Sequence, residues 1–295
     1  MLFIGELAAL FAAFLWSNSS ILFTAASLRI GSIQLNVDRM LMAVIYLIFT
    51  ILIFNININL LPQQIFLLAL SGIIGLIIGD TAIFKSFAEI GPRYTMLFYS
   101  TNPGIAAIFS YFILGESLGI FAIIGMIITI AGIAIVSLEK RSATSKFNLT
   151  TKGIFYGLMS AVGQGIGLVI AKMAFEYGEI HSFTATIVRI STAVLTMLII
   201  SLAFKRYKNP IKLYKEDRKA FKLVSLGSII GPYLGITLSF VALENTSVGI
   251  AATLMSTTPI MLIPLSKYFY KEKISVYSIV GTIVAVAGIA MLFLF

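Results

Sequence analysis

The sequence predicts an all-α polytopic membrane protein with ten transmembrane helices, arranged as two five-helix repeats of inverted topology. Ten stretches nearly free of charge follow one another through the 295 residues, and most of them run 19 to 22 residues. A helix of that length crosses a hydrocarbon core of about 30 Å at ~1.5 Å per residue. Composition agrees, because only 11% of the residues are charged and the mean hydropathy is +1.02, whereas soluble domains carry about 25% charged residues. In lipid the backbone must satisfy its own hydrogen bonds, so these stretches are predicted to be helices.

The stretches between charged residues place the ten spans along the chain. Two of them are short, and we expect the third to extend into Asp80 and the seventh to extend back through Arg189. The connections between them leave no room for a soluble domain. The ten windows are Leu7–Leu28, Met40–Leu61, Gln63–Gly79, Tyr94–Gly115, Ser117–Leu138, Gly153–Ala171, Ile190–Phe204, Leu223–Leu243, Asn245–Ser266 and Ile274–Phe295.

The second half of the chain repeats the first. When the chain is slid by 156 residues, positions 73–136 and 229–292 overlay without a gap and share 18 identities in 64 positions. The informative identities are those of the rarer residue types, since apolar composition inflates the count. An arginine also recurs near the start of each half, at Arg39 and Arg189. The matched residues are Gly75, Gly79, Ser100, Thr101, Pro103, Glu116 and Gly132 with Gly231, Gly235, Ser256, Thr257, Pro259, Glu272 and Gly288.

This repeat divides the chain into two units. We predict a first five-helix repeat over residues 1–138, a basic connecting loop over residues 139–152 and a second five-helix repeat over residues 153–295. Because five is odd, the two copies enter the membrane from opposite sides. Inverted repeats of this kind place a binding site near the midplane, between the two copies.

The net charge of +9 is distributed unevenly across the predicted membrane. We call the side that holds the N-terminus side A and the opposite side side B. Of the 21 Lys and Arg residues, 17 fall in B-side loops, and only Lys172 lies near a helix end on side A. The positive-inside rule therefore predicts that side B faces the cytoplasm and that both termini lie outside. The charge orients the chain in the plasma (inner) membrane and its lipid bilayer, and does not indicate a nucleic-acid partner.

Basic residues within the spans are candidate sites, because a charge in the membrane is expensive. Arg39 and Arg189 are close enough to their helix ends to snorkel to the interface. Their recurrence in both repeats favours a structural role, such as holding a loop or a helix end by hydrogen bonds. Lys85 and Glu89 are spaced i, i+4 and are predicted to pair near the side B end of their helix.

Asp80 is the candidate for ion coupling. It lies in the third span, and its repeat position is occupied by Ile236. An acid that is present in one repeat only is harder to explain as scaffold, and a buried carboxyl group can carry a proton through a transport cycle. The alternatives are a hydrogen-bonded packing acid or a partner for Arg39.

Polar and aromatic side chains within the spans complete the predicted substrate cavity. Pro103 and Pro259 each remove a backbone hydrogen bond and are predicted to kink their helices. Two interpretations of these positions stay open. Either the prolines only shape the helices, or the freed carbonyls and the neighbouring hydroxyl groups line the cavity. Trp16 lies in the middle of a span, away from the interfacial belt that Trp prefers, and is predicted to face protein. The predicted cavity residues are Trp16, Asn18, Asp80, Tyr99, Asn102, Gln164, Tyr233, Ser256 and Thr257.

Enzyme signatures are absent from the sequence. The chain has one histidine and no cysteine, and it has no zinc-protease, nucleophile-elbow or P-loop pattern. Gly163, Gly165 and Gly167 superficially resemble a phosphate loop, but they lie within a predicted span and are better explained by close helix packing. We therefore predict no catalytic residue, no metal site and no cofactor.

The ordered set of these residues resembles the EamA-type ten-helix branch of the drug/metabolite transporter (DMT) superfamily. The resemblance rests on Trp16-Ser17-x-Ser19 in the first span, Gln164-Gly165 and Lys172 in the sixth, and the arginines of the second and seventh. It also rests on the paired prolines and on Glu116 and Glu272, each followed by G-x₆-G. It implies a secondary transporter with a cavity built mainly from spans 1, 3, 4, 6, 8 and 9. Many relatives have cytoplasmic termini, which is the reverse of the orientation that the charges predict here.

The resemblance further implies efflux of small metabolites, with amino acids foremost, driven by protons or by the substrate gradient. Both inverted halves lie in one chain, so a monomer is expected to suffice. Two alternatives stay open: a multidrug or lipid- or nucleotide-linked carrier of the same fold, and a non-transporting membrane scaffold. A carrier of phosphate-linked substrates needs basic residues that face the cavity, so the positions of Arg39, Lys85 and Arg189 distinguish it.

Overall fold

The chain folds into helices throughout the part that the structure describes. The computed structural model describes residues 3–138, 149–258, 260, 261, 265 and 276–294. Six of the helical units in these ranges are long and apolar enough to cross a membrane, and three shorter apolar helices join them. The helices are α1 (Ile4–Ile30), α2 (Ser32–Phe54), α3 (Pro62–Gly72), α4 (Asp80–Tyr99), α5 (Asn102–Leu114), α6 (Ile120–Leu138), α7 (Thr151–Glu176), α8 (Ser182–Ala203), α9 (Pro210–Glu216), α10 (Arg218–Ser228), α11 (Leu234–Asn245), α12 (Val248–Met255) and α13 (Val276–Leu294).

Within the described ranges these helices agree with the predicted all-α membrane fold, and part of the ninth span lies outside those ranges. The third span extends through Asp80 as expected and is a single unit of 30 residues, Pro62–Gly91. The seventh likewise extends back through Arg189, because α8 begins at Ser182. The second span differs from its predicted window, since α2 begins at Ser32 rather than near residue 40. The charges of Asp38 and Arg39 set that window, whereas both side chains are buried within the helix.

Each repeat contains a wide π-helical turn at the equivalent position. The first runs from Ile73 to Gly79, between α3 and α4, and the second runs from Ile229 to Tyr233, between α10 and α11. Residues 73 and 229 are separated by the repeat offset of 156. A π turn leaves carbonyl groups without their usual partner in the helix and is frequent at functional sites. Pro232, which lacks an N–H, lies within the second of these turns.

The fourth and ninth spans are interrupted at equivalent positions. The α4 segment turns at Gly91, which has φ +77°, so the third and fourth spans meet there. Ser100 and Thr101 then form a turn with right-handed helical backbone angles between α4 and α5, and α5 has Pro103 in its first turn. The ninth span breaks after Met255 in the same way. Pro103 therefore begins a new helix, where its missing N–H costs nothing, whereas Pro259 lies outside the described residues.

Glycines allow the two repeats to pack closely against each other. A Cβ on Gly163 of α7 would lie 2.9 Å from the Cα of Gly79, and a Cβ on Gly167 would lie 3.1 Å from the Cα of Gly75. In the pseudo-symmetric contact, Gly231 faces Phe23 and Ser19 of α1. The third span thus packs on the sixth and the eighth on the first. The helix packing predicted for these glycines is confirmed.

The fifth spans of the two repeats also pack against each other. Gly132 of α6 lies against the backbone of Ala285, and Gly288 of α13 lies against the backbone of Thr129. Small residues let two helix backbones approach closely, which is how helices associate in lipid. Large apolar side chains cover the outward faces of these helices, for example Ile127 of α6, which is 61% exposed.

On side B, the basic segment between α8 and α10, which contains α9, lies across the ends of the spans. Tyr214 lies in α9 and Tyr207 lies just before it. Each donates a 2.6 Å hydrogen bond to the carboxylate of Asp38. Burial and the charge of Asp38 raise the pKa of Tyr214, so its hydroxyl stays a neutral donor. Nearby, Asp217 caps α10 through the N–H of Ala220. This segment joins the second repeat to the start of α2.

The predicted pairing of Lys85 with Glu89 is wrong. Glu89 instead forms an ion pair with Lys152 at the start of α7, with 2.8 Å between Oε1 and Nζ. The Lys85 ammonium lies over the ring of Tyr156, 5.1 Å from its centroid. Both partners come from α7, which packs along α4. Spacing within one helix therefore did not decide the pairing, because a neighbouring helix offered better partners. Of the other predictions, Glu272 and much of the basic connecting loop lie outside the described residues.

Candidate functional site

A cavity lies between the two repeats, with a volume of about 90 Å³. Water needs about 10–15 Å³ of such space, so the cavity has room for several water molecules. Both repeats line it, through the first four spans and the sixth to ninth. Its lining residues are Trp16, Ser19, Ser20, Phe23, Arg39, Leu76, Asp80, Ile83, Phe84, Phe87, Met96, Tyr99, Gln164, Leu168, Arg189, Gly231, Pro232, Ile236, Ser239 and Thr258.

An ion pair between Arg39 and Asp80 lies at the polar centre of the cavity. Nη2 of Arg39 donates to Oδ2 of Asp80, and Nε and Nη2 also donate to Oδ1 of Asn36 at 2.9 and 2.7 Å. The guanidinium lies over two rings that are nearly perpendicular to each other, with its Cζ 4.8 Å from the centroid of Phe84 and 5.6 Å from that of Phe23. Asp80 and Asn36 thus hold the Arg39 guanidinium inside the protein, and it does not snorkel to the interface.

The first π turn supplies acceptors to this network. The amide of Gln164, in α7, donates to the Gly75 carbonyl at 3.1 Å and to Oδ1 of Asp80. The amide of Asn36 donates to the Leu76 carbonyl at 3.2 Å. The side-chain amides of Gln164 and Asn36 therefore satisfy carbonyl groups of the π turn. The same two side chains also orient Asp80 and Arg39. The second repeat contributes Gln164 to this network, so the network joins the two halves.

Arg189, the repeat counterpart of Arg39, has a different environment. It lies in α8, is only 2% exposed, and its Cζ lies 5.4 Å from the ring centroid of Phe240. Its Nε is buried without a hydrogen-bond partner. Among the residues that the structure describes, no hydrogen bond or ion pair reaches this guanidinium. Its Nη2 lies against Gly75 of the opposite repeat.

The structure brings some of the predicted cavity residues together and separates others. Trp16, Asp80, Tyr99 and Gln164 line the cavity, and Trp16 faces protein, with its indole against Gly235.

The remaining predicted residues lie elsewhere. Asn18 donates to the Phe14 carbonyl of its own helix, and Tyr233 bonds Thr50 at 2.6 Å between the two hydroxyls. Asn102 is buried against Gly165, with its Oδ1 unpartnered. Ser256 and Thr257 lie in the break of the ninth span. None of these five belongs to the cavity lining.

Of the three basic residues, Arg39 and Arg189 line the cavity, whereas Lys85 does not. Lys85 lines a second cavity of about 340 Å³, together with Tyr156 and Arg206. That cavity lies toward side B, between the third, sixth and seventh spans.

Sequence reasoning missed most of the apolar lining and the hydroxyl groups of α1. Phe23, Phe84, Phe87 and Met96 are ordinary span residues by composition, and nothing in their spacing distinguishes them. One signal was available for Phe84, since it lies four residues after Asp80 and is identical to Phe240 at the repeat position. Thr258 directly follows the predicted residues Ser256 and Thr257.

Comparisons with known proteins agree with this architecture. Residues 3–138 and residues 151–294 each match the model of the EamA-like transporter family. An uncharacterized transporter of Archaeoglobus fulgidus is 26% identical over 292 residues, which cover 98% of this chain and 97% of that protein. Uncharacterized protein MJ1333.1 of Methanocaldococcus jannaschii is 27% identical over 139 residues, which cover 47% of this chain and 94% of that protein. A crystal structure of a protein with 16% sequence identity matches with a TM-score of 0.77, over 99% of this chain and 96% of that one, which supports the fold alone.

Proposed function

Since this chain belongs to the EamA-like transporter family, we propose that it moves small metabolites across the membrane by alternating access. The cavity between the inverted repeats carries the proposal, because both repeats contribute polar side chains to it. In secondary transporters of inverted-repeat design, one repeat rocks against the other around such a site. Amino acids or related compounds are the substrates, and their transport is directed outward.

The site is organised to hold a small polar solute. Its charged groups lie in a ring of apolar and aromatic surface, which is the usual composition of a small-molecule pocket. Asp80 is the coupling candidate, and its ion pair with Arg39 is the contact that protonation would release. Because Gln164 of the second repeat holds the same carboxylate, that release would also loosen a contact between the halves. In the alternative without proton coupling, the substrate gradient alone drives exchange through the same cavity, and Asp80 is not protonated.

In this proposal the protein resides in the plasma (inner) membrane, with the basic loops of side B in the cytoplasm and both termini outside. One chain holds both halves of the pathway, so a monomer suffices, and the partners are the substrate and the bilayer. No nucleic acid, metal or cofactor takes part.

Solvent access to a single cysteine tests alternating access without knowledge of the substrate. The chain has no cysteine of its own, so Ser19→Cys places one nearly isosteric thiol in the cavity lining. In oriented vesicles or cells, we expect an impermeant maleimide to label this thiol from either side of the membrane, as the cavity opens to each in turn.

The matched control is Ser160→Cys. Ser160 is also buried and donates to the Gly157 carbonyl of its own helix at 2.6 Å, but it lies outside the cavity lining. We expect no labelling at this position from either side. A Ser19→Cys thiol that reacts from one side only, or from neither, would argue for a non-transporting scaffold.

A further inference from the structure

The two repeat-related arginines have unequal partners, because the acid that pairs with one has no counterpart for the other. Arg39 stacks on Phe84 and pairs with Asp80, one helical turn before Phe84. Arg189 stacks on Phe240, the repeat equivalent of Phe84. The residue one turn before Phe240 is Ile236, which also lines the cavity. Ile236 thus occupies, relative to Arg189, the place that Asp80 occupies relative to Arg39.

The cavity therefore holds an unbalanced positive charge. Two guanidinium groups and one carboxylate line it, and an arginine stays protonated in proteins. The sum is +1. Asp80 acts on Arg189 through space, but its two oxygens are bonded by Arg39 and Gln164. A buried charge without a hydrogen-bonded partner is costly, so a ligand that supplied the missing anion would be favoured.

We infer that Arg189 binds the carboxylate group of the substrate, and that the preferred substrate is a small monocarboxylate with an apolar body. The inference rests on the proposed function and specifies its substrate. A planar guanidinium fits a carboxylate through two parallel hydrogen bonds. One carboxylate brings the charge of the cavity to zero, whereas a phosphate ester or a second carboxylate overshoots and leaves a buried negative charge.

The rest of the lining fits the body of such a substrate. Apart from the charged groups, the walls are mainly apolar, and they include Phe87, Met96 and Trp16. The hydroxyl groups of Ser19, Ser20 and Ser239 donate to carbonyls of their own helices, and that of Thr258 donates to the Met255 carbonyl at the end of α12.

The lining offers no second acid for a positively charged group. Among the described residues, Asp80 is the only acid that lines the cavity, and its charge is already paired with that of Arg39. The ammonium of an amino acid therefore finds no free carboxylate. Within the substrates proposed above, this lining favours the related acids that lack the amino group.

A set of ligands on one six-carbon skeleton tests the inference. Hexanoate carries only the carboxylate, hexanamide is its neutral counterpart, norleucine adds the 2-amino group, and adipate adds a second carboxylate. Binding to the purified protein is measured by calorimetry and by ligand-dependent thermal stabilisation. We expect hexanoate to bind saturably, and hexanamide, norleucine, adipate and inorganic phosphate each to bind at least about 10-fold more weakly, since a hydrogen-bonded charge discriminates by that factor or more.

Variants of Arg189 and Ile236 separate the effect of charge on binding from the effect of side-chain shape. Arg189→Gln is expected to weaken hexanoate binding by roughly 10- to 100-fold, and Arg189→Lys by less, because it keeps the charge. Ile236→Asp supplies the missing counter-charge from within the protein and should weaken binding more than Ile236→Asn, which has nearly the same shape. Lys212→Gln removes an exposed positive charge far from the cavity and should leave binding unchanged.

Each outcome has a distinct meaning. Equal binding of norleucine and hexanoate would overturn the exclusion of the amino group, and equal binding of phosphate would overturn the carboxylate preference. Unchanged hexanoate affinity in folded Arg189→Gln, or no hexanoate binding at all, would overturn the inference. If the Ser19→Cys thiol were still labelled from both sides, that failure would leave the proposed transport function standing.

Discussion

At the scale of the residue, the two arginines contrast most clearly. Both are buried and both stack on a phenylalanine at equivalent places. Only Arg39 has its charge neutralised, by Asp80. Breaking a buried ion pair by removing one partner leaves the other charge uncompensated, whereas removing a charge that has no partner carries no such penalty. Removing the arginine is therefore predicted to destabilise the protein at position 39 and to have little effect on stability at position 189.

Arg39→Met is expected to destabilise the protein by about 3–5 kcal/mol, because the Asp80 carboxylate then stays buried without its partner. The double variant Arg39→Met/Asp80→Leu should recover most of that loss, since it removes both charges. Thermal unfolding in detergent measures each variant. Arg189→Gln is the matched comparison and should unfold close to the wild-type temperature. A single Arg39→Met variant as stable as the double variant would contradict the role of the ion pair.

At the scale of the element, the paired π turns and the glycines opposite them explain how the repeats fit together. The third span approaches α7 so closely that side chains are excluded at Gly163 and Gly167. This approach brings Gln164, which lies between these glycines in sequence, within bonding distance of the Gly75 carbonyl. Helix packing and the polar centre of the cavity thus depend on the same small residues.

Alanine substitutions test this packing. Gly163→Ala places a Cβ 2.9 Å from the Cα of Gly79, so a backbone must move, and we expect a loss of about 1–3 kcal/mol. At Gly104, in α5, a Cβ would have no atom within 4 Å. Gly104→Ala should therefore be neutral or stabilising by up to ~1 kcal/mol, the helix propensity that alanine adds. Thermal unfolding compares the two, and equal stabilisation would show that α7 and the third span are not in close contact.

At the scale of the whole molecule, the inverted repeat sets the two sides of the protein. On side A, the loop after α2 contacts the start of α8 in the other repeat, through the 2.9 Å hydrogen bond from Thr184 to the Asn57 carbonyl. On side B, Arg29 forms a 2.7 Å ion pair with Asp217. The excess of basic residues on side B is the basis for its predicted cytoplasmic location.

Single cysteines report this orientation in intact cells. Asn59→Cys lies in the exposed loop after α2 on side A, and Lys212→Cys lies on exposed α9 on side B. We expect an impermeant maleimide to label Asn59→Cys directly and Lys212→Cys only after the membrane is permeabilised. The reverse pattern would place both termini in the cytoplasm, as in many relatives.

The sequence by itself determined the membrane helices, their repeat and the two faces of the protein. These properties follow from the hydrophobicity of each stretch, from the need of a backbone in lipid to bond to itself, and from the loop charges. All of these are local, so they can be read without knowing which helices touch. The same reasoning selected Trp16, Asp80 and Gln164 as cavity candidates, because polar or amphipathic groups within a span avoid lipid.

Only the tertiary structure decided which of these groups meet. Sequence spacing predicted a pair between Lys85 and Glu89, whereas in the packed structure Glu89 forms its ion pair with Lys152 of α7. Recurrence suggested one role for both arginines, whereas the fold neutralises Arg39 and leaves Arg189 facing the cavity without an acid. The physical reason is that a buried polar group takes the best partner within reach of its side chain. The rotation and close approach of neighbouring helices set that reach, and neither is encoded in the order of residues along any single span.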